Sequence, residues 1–261
     1  MTGEWTRAGP TAQDAQGRYT VDIRVVDPTG KDLETKAVTC DRLVLGAGTV
    51  GTSELLVRAR HEGTLKNLDD SVGRGFGTNG DAAMIQFLSL SQGLFQGSPS
   101  ASTILDKSLD MPARMESWYS LGIQINAGII GSLGMVMDPQ RADFVYSVAK
   151  DDVILDWPKN GNKATEEVLR TMQNKIAEAN GTGVGVPVLN VPDVARSFTA
   201  HPLGGAVIGK TTDAYGRVKG HPGLYVMEGA AIQGSTGTAN PSLTITALAE
   251  RNIAKVIADG K

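Results

Sequence analysis

Cysteine is almost absent from this 261-residue chain: Cys40 is the only one. An internal disulfide and a thiolate metal cluster are thereby excluded, and Cys40 reads as a buried structural thiol. A basic stretch is also missing. With a net charge of −3, nucleic acid is not an expected partner. No apolar run approaches the ~18 residues of a membrane span, and Met1-Thr2-Gly3-Glu4-Trp5-Thr6-Arg7 has neither the basic start nor the apolar core of a secretory signal. The default expectation is a cytoplasmic protein, with export left open should a precursor or partner carry the signal. No metal site is expected. Glycine is plentiful instead: 32 residues, well above the usual ~7%, which suits tight turns and close backbone approaches. The length allows one or two domains with a sizeable core.

The pattern reads as α/β with strands grouped at both ends. Tyr19-Thr20-Val21-Asp22-Ile23-Arg24-Val25 alternates as a half-buried strand does, Asp27-Pro28-Thr29-Gly30 supplies a turn, and a return strand over about 33–40 completes a hairpin. Nothing before Tyr19 reads as a strand. Arg42-Leu43-Val44-Leu45 enters a glycine loop, and helix follows near Thr52-Ser53-Glu54-Leu55-Leu56. The middle, about 81–199, offers strands at 117–125, 143–148 and 153–157. One helix stands out there. Asn162 or Thr165 caps it, Val168, Leu169, Met172 and Ile176 share a face, and Asn180-Gly181 ends it. This region reads as an antiparallel layer with a helix packed on it.

Gly46-Ala47-Gly48-Thr49-Val50-Gly51 fits the Gly-x-Gly-x-x-Gly dinucleotide pattern between an apolar strand and a helix. The acidic residue required about twenty positions later would be Asp69 or Asp70. Neither follows a strand, so an independent nicotinamide site is not expected.

In the last third, His201-Pro202-Leu203-Gly204-Gly205 is followed by Met227-Glu228-Gly229-Ala230, then Asn240-Pro241 and a long helical run. This order resembles the C-terminal end of the glucose-methanol-choline flavin oxidoreductases, and within them the cholesterol oxidase group. The resemblance implies an FAD cofactor. It also makes the segment from Val44 to Leu56 similar to the family's second glycine segment, with Gly46 and Gly48 beside the flavin. The first fingerprint, which holds the pyrophosphate, is not found, so the N-terminal dinucleotide-binding half is expected to be absent. A natural split enzyme, a cleaved or truncated form, and a remnant with another role would each explain this. The implied arrangement is a partial FAD-binding domain at 1–78, an antiparallel-sheet substrate-binding domain at 79–214, and the C-terminal part of the FAD-binding domain at 215–261.

Alcohol oxidation needs a group that takes the hydroxyl proton as hydride leaves carbon. Histidine suits this, since its ordinary pKa of ~6.5 leaves neutral imidazole at pH 7, and the family places its active-site histidine where His201 stands. Asn240 before Pro241 is a favourable helix cap, with Pro241 at the first helical position. The helix over 242–257 would aim amides outward, favouring negative charge on a reduced ring. The resemblance adds that Asn240 orients the alcohol. In Pro112-Ala113-Arg114-Met115-Glu116-Ser117-Trp118, Glu116 resembles the glutamate that moves a proton during double-bond migration. An apolar pocket lets such a carboxyl take and return a proton.

Glu228 and Gly229 would let backbone approach the flavin, as would Pro241 and Ser242 at the helix start. The family usually has aspartate at the Glu228 position, often cysteine at that of Ala206, and often an aromatic at that of Ser242. A smaller Ser242 would leave room above the site. Gly75-Phe76-Gly77-Thr78-Asn79-Gly80 resembles a flavin-adjacent turn. His221 reads as a surface turn residue and His61 as a loop residue.

The expected function is the catalytic C-terminal part or subunit of an FAD-dependent secondary-alcohol oxidase acting on a sterol or terpenoid, reoxidised by oxygen, with possible isomerisation. Its expected partner is a second chain carrying the N-terminal FAD-binding half. The alternatives are a flavin-free steroid isomerase or binding protein, and a non-catalytic subunit of a split flavoenzyme.

Overall fold

The computed structural model describes residues 5–87, 100–118, 129–179, 185–187 and 199–260. It opens with a three-stranded antiparallel sheet of β1 (Trp5–Gln13), β2 (Tyr19–Val26) and β3 (Asp32–Cys40), in the order β1-β2-β3. The hairpin of β2 and β3 closes as the sequence suggests, with the Asp27 carboxylate accepting from the amides of Thr29 (2.8 Å) and Lys31 (3.0 Å). The leader before Tyr19 is not strandless, because β1 pairs along β2. As an edge strand it is held through its backbone and needs no apolar alternation. Its Pro10 falls in the register shift between Ala8 and Thr11, where the ladder tolerates a residue without an N–H. Cys40 is only partly buried, at the end of β3.

β4 (Leu43–Leu45) runs straight into α1 (Gly48–Glu62), which starts at the motif's second glycine and ends at Gly63 with φ 68°. His61 lies in the last turn of α1 rather than in a loop. It stacks on Tyr146, with ring centroids 3.6 Å apart.

The middle of the chain builds a second antiparallel sheet from β5 (Asp81–Phe87), β6 (Thr103–Asp106), β7 (Ala113–Trp118) and β8 (Ile129–Val136). The hairpin of β9 (Asp143–Ser147) and β10 (Asp152–Asp156) follows, then α2 (Lys163–Ala179) and β11 (Gly185–Pro187). β11 joins the sheet at the edge, giving the order β11-β5-β8-β7-β6. Of the strand expected at 117–125, Ser117 and Trp118 close β7; the remainder lies outside the described residues, as does the Asn180-Gly181 helix end.

α2 lies on this sheet through the predicted face. Val168, Leu169 and Met172 pack with Ala82, Met84, Met115 and Val136, and Ile176 joins them. A side chain at Gly134 would put Cβ 2.4 Å from Leu169 Cδ1, so glycine lets the helix approach. Neither suggested side chain caps α2. The Thr165 hydroxyl donates to Asp138 at 2.7 Å, and Asn162 Oδ1 is buried without a hydrogen bond.

β12 (Leu224–Val226) returns to pair with β4 in parallel, Leu224 opposite Leu43 and Val226 opposite Leu45. A short 3-10 turn (Gly229–Ala231) and α3 (Ser242–Ala258) complete the described fold. The main core gathers Tyr19, Leu56, Phe76, Phe144, Ala206 and Val226. His221 is buried at 2% exposure, not at the surface. Its turn is tucked against the entry to β4, where the Leu43 amide donates to Gly223 O at 2.8 Å. Burial pushes this imidazole below its usual range and favours the neutral form.

Apolar side chains are exposed at β4 and at α3. Parallel strands are ordinarily covered on both faces by further structure, yet β4 and β12 form a two-stranded sheet. Val44, in the middle of β4, is 49% exposed while β12 is buried throughout, and Leu243 on α3 is 81% exposed.

Candidate functional site

The site is organised by the turn at 78–81, which leads into β5. The Asp81 amide closes it on Thr78 O at 3.1 Å. Gly80 has φ 67°, and a Cβ there would lie 2.0 Å from Val136 O, so only glycine fits. Neighbouring glycines serve similar close crossings: a Cβ on Gly77 would meet Gly234 O at 2.4 Å, and one on Gly204 would meet Gly75 O at 2.1 Å.

Two distant segments are fastened to this turn. The Asn79 amide nitrogen donates to Ala239 O at 2.9 Å, while its Oδ1 accepts from the Thr236 amide at 2.9 Å. Asn79 thereby holds the loop that delivers Asn240. Asp81, with no exposure, holds the segment that delivers His201. Its Oδ2 accepts from the amides of Ala200 (2.8 Å) and His201 (3.0 Å) and the hydroxyl of Thr199 (3.0 Å). His201 Nδ1 lies 3.1 Å from Oδ1 in hydrogen-bond geometry and 3.0 Å from Oδ2, and the imidazole retains 15% exposure.

Asn240 and Glu116 meet directly. The Asn240 amide nitrogen is 3.1 Å from each Glu116 carboxylate oxygen. Glu116 is 5% exposed and stands on β7, separated from β5 by β8. This contact replaces the cap expected of Asn240. The N-cap of α3 is Pro241, without a side-chain cap bond, and Pro241 O accepts from the Ile245 amide at 2.8 Å. Proline therefore precedes the first helical position rather than filling it. Among the described residues, no group of three or more His, Cys, Asp or Glu is placed to hold a metal ion.

The glycine loop presents a different face. Gly46 and Gly48 are exposed, and a Cβ on either would meet nothing within 4 Å. The N-cap of α1, Ala47, supplies no side-chain bond to the first amides, which leaves donors open. Beside this helix, Glu228 Oε2 accepts from the Ala230 amide at 3.0 Å. Glu228 Oε1 and Thr52 Oγ1 are both buried, and the Thr52 hydroxyl acts on the Glu228 carboxyl. Gly229 has a packing reason of its own, since its Cβ would fall 2.8 Å from Thr49 Oγ1. Ser242 is exposed at the start of α3, and Ala206 is fully buried.

Burial pushes the Glu228 carboxyl above the ordinary range, partly offset by the Ala230 amide. A raised folded-state pKa stabilises the protein below the unfolded value and loses that contribution as pH rises through the folded one. Glu228→Gln is therefore expected to gain stability relative to the parent as pH rises past the ordinary glutamate range, with the gap levelling once Glu228 is ionised. Urea denaturation across pH checks this; a gap independent of pH would contradict it.

Sequence reasoning missed Asp81 and Asn79. The glycine-rich turn around them was visible, but the chemistry lies in bonds to residues 120 and 157 positions away, which local spacing does not encode.

Comparison with known proteins agrees with this architecture. Residues 145–249 match the family model described as GMC oxidoreductase. The chain is 41% identical over 102 residues to a cholesterol oxidase of Mycobacterium tuberculosis, covering 36% of this chain and 15% of the relative. To a cholesterol oxidase of Acinetobacter baumannii it is 25% identical over 261 residues, covering 80% of this chain and 46% of the relative. The chain thus spans about half or less of these relatives' lengths. In fold it is similar to pyridoxine 4-oxidase from Mesorbium loti (TM-score 0.65, 18% identity, 96% of this chain, 57% of that one). It is also similar to a formate oxidase (TM-score 0.63, 13% identity, 97% and 60%). No helix among the described residues is long and apolar enough to cross a membrane.

Proposed function

We propose that this chain supplies the substrate-side C-terminal part of an FAD-dependent secondary-alcohol oxidase of the cholesterol oxidase type. The carrying observation is the pairing of Asn240 with buried Glu116, with His201 fastened to the same turn that positions the Asn240 loop. In this reading His201 takes the hydroxyl proton and Asn240 orients the alcohol. Glu116 then removes a proton from the carbon between the new carbonyl and the double bond and returns it at the far end of the allylic system. The substrate class is an apolar secondary alcohol such as a sterol or terpenoid.

The glycine loop suits FAD. Open space over Gly46 and Gly48 and the first-turn amides of α1 and α3, which receive no side-chain cap, supply room and donors for it. Glu228, Gly229, Pro241 and Ser242 would border the group. When bound, it accepts the hydride. The exposed apolar side chains of Val44 on β4 and Leu243 on α3 are where the N-terminal half, carried by a second chain, would add to the fold.

The test is the visible spectrum of the purified chain, expressed alone and with a chain bearing a strand followed by Gly-x-Gly-x-x-Gly. Bands near ~450 nm from bound flavin on coexpression are the expected result. Absence of flavin from both preparations would overturn the oxidase reading.

A second reading is a flavin-free isomerase. It is favoured by the Glu116 and Asn240 pair lying wholly within this chain, and it predicts that the chain alone conjugates a supplied β,γ-unsaturated steroid ketone.

A further inference from the structure

The His201 ring is held through one nitrogen by a carboxylate that belongs to a different element and has other bonds to satisfy. A neutral imidazole carries one N–H and one lone pair, and whatever bonds the first nitrogen decides which role the second plays. Asp81 is fully buried, and its Oδ2 already faces the Ala200 amide, the His201 amide and the Thr199 hydroxyl. A carboxylate only accepts. Hydrogen bonding between Asp81 and Nδ1 therefore places the ring hydrogen on Nδ1 and the lone pair on Nε2.

We infer that Asp81 is a positioning residue that fixes His201 in the Nδ1–H tautomer, so that Nε2 is the atom free to take the substrate's hydroxyl proton. The catalytic half of this statement rests on the reading of His201 given above. The tautomer does not. Asp81 accepts from the Ala200 amide and faces the ring, and the His201 amide is shared between Asp81 Oδ2 and Thr199 Oγ1 (2.8 Å), so the segment and the ring are held together. The same carboxylate thus sets both the position of the residue and the direction of its hydrogen bond.

Asp81→Asn separates these two duties. The asparagine oxygen in the place of Oδ2 keeps the acceptor for the two amides and the Thr199 hydroxyl, so the 199–201 segment stays docked. Its NH2 group then occupies the place of Oδ1 and donates to Nδ1. Nδ1 must now supply the lone pair, and the hydrogen moves to Nε2. The imidazole remains in place with its proton acceptor facing the wrong way.

The experiment is 15N NMR of the full chain with labelled histidine, recorded at about pH 8.5 where an ordinary imidazole is neutral. The chain has only three histidines, and His201→Gln assigns the signal. The expected parent spectrum shows a protonated Nδ1 and a pyridine-like Nε2 at His201; Asp81→Asn reverses the two. An Nε2–H tautomer in the parent overturns the inference, as does an unchanged tautomer in a folded Asp81→Asn. Should that variant not fold, the parent spectrum still decides. Thr199→Val, which removes a hydroxyl placed 3.0 Å from both Asp81 Oδ2 and Thr78 O but not the contact of Asp81 with the ring, is expected to leave the tautomer unchanged.

In the assembled enzyme, Asp81→Asn is expected to lower kcat by about 10²-fold or more with little change in KM, as loss of a general base does. A correct tautomer combined with normal turnover of His201→Gln would remove the catalytic reading and leave the structural one standing.

Discussion

Substituting glutamine for His201 in the assembled enzyme is expected to slow alcohol oxidation by about 10²-fold or more, the usual consequence of losing acid–base catalysis. Glutamine is chosen because its amide can still donate to Asp81, which sits within 3.1 Å of the histidine ring, so the 199–201 segment keeps its anchor. What disappears is a group able to accept a proton. The loss is expected in kcat and in kcat/KM together, because the missing interaction develops only as the proton moves. Steady-state oxidation of a secondary sterol alcohol measures this. Near-normal turnover would remove His201 from the chemistry.

The second large effect concerns a different step. Glu116→Gln is expected to leave oxidation within a few-fold of the parent while the unconjugated ketone accumulates. The geometry makes the substitution mild: one oxygen of the new amide still accepts from Asn240, which now reaches both oxygens at 3.1 Å. The amide, however, cannot take a proton from carbon. Following the ketone and the conjugated enone by absorbance separates the steps. Immediate appearance of the enone would show that another group carries the isomerisation.

How far the sequence revealed this site depended on the range of the interactions. The hairpin of β2 and β3, the hairpin of β9 and β10, and the apolar face of α2 follow from alternation, turn residues and helical spacing. β1 escaped because an edge strand needs only backbone pairing and carries no apolar signature. Asn240 looked like a cap by its position before Pro241, yet its side chain is drawn to a carboxylate 124 residues away. His221 looked exposed because Gly220-His221-Pro222-Gly223 is turn chemistry, although that turn is folded under. His201, Asn240 and Glu116 could be singled out from a resemblance. The turn at 78–81 that fastens two of their segments could not, since its partners are decided by the tertiary fold.

That turn also governs when the site can exist. Its bonds to 199–201 and to 236–239 close loops of 118 to 160 residues, and such closures cost entropy before any contact rewards them. Folding dominated by distant pairings is slow. The hairpins and α2 can form early from neighbouring residues, but His201 and Asn240 reach their places only once both long loops have shut. The arrangement of His201 and Asn240 is therefore expected to form late in folding.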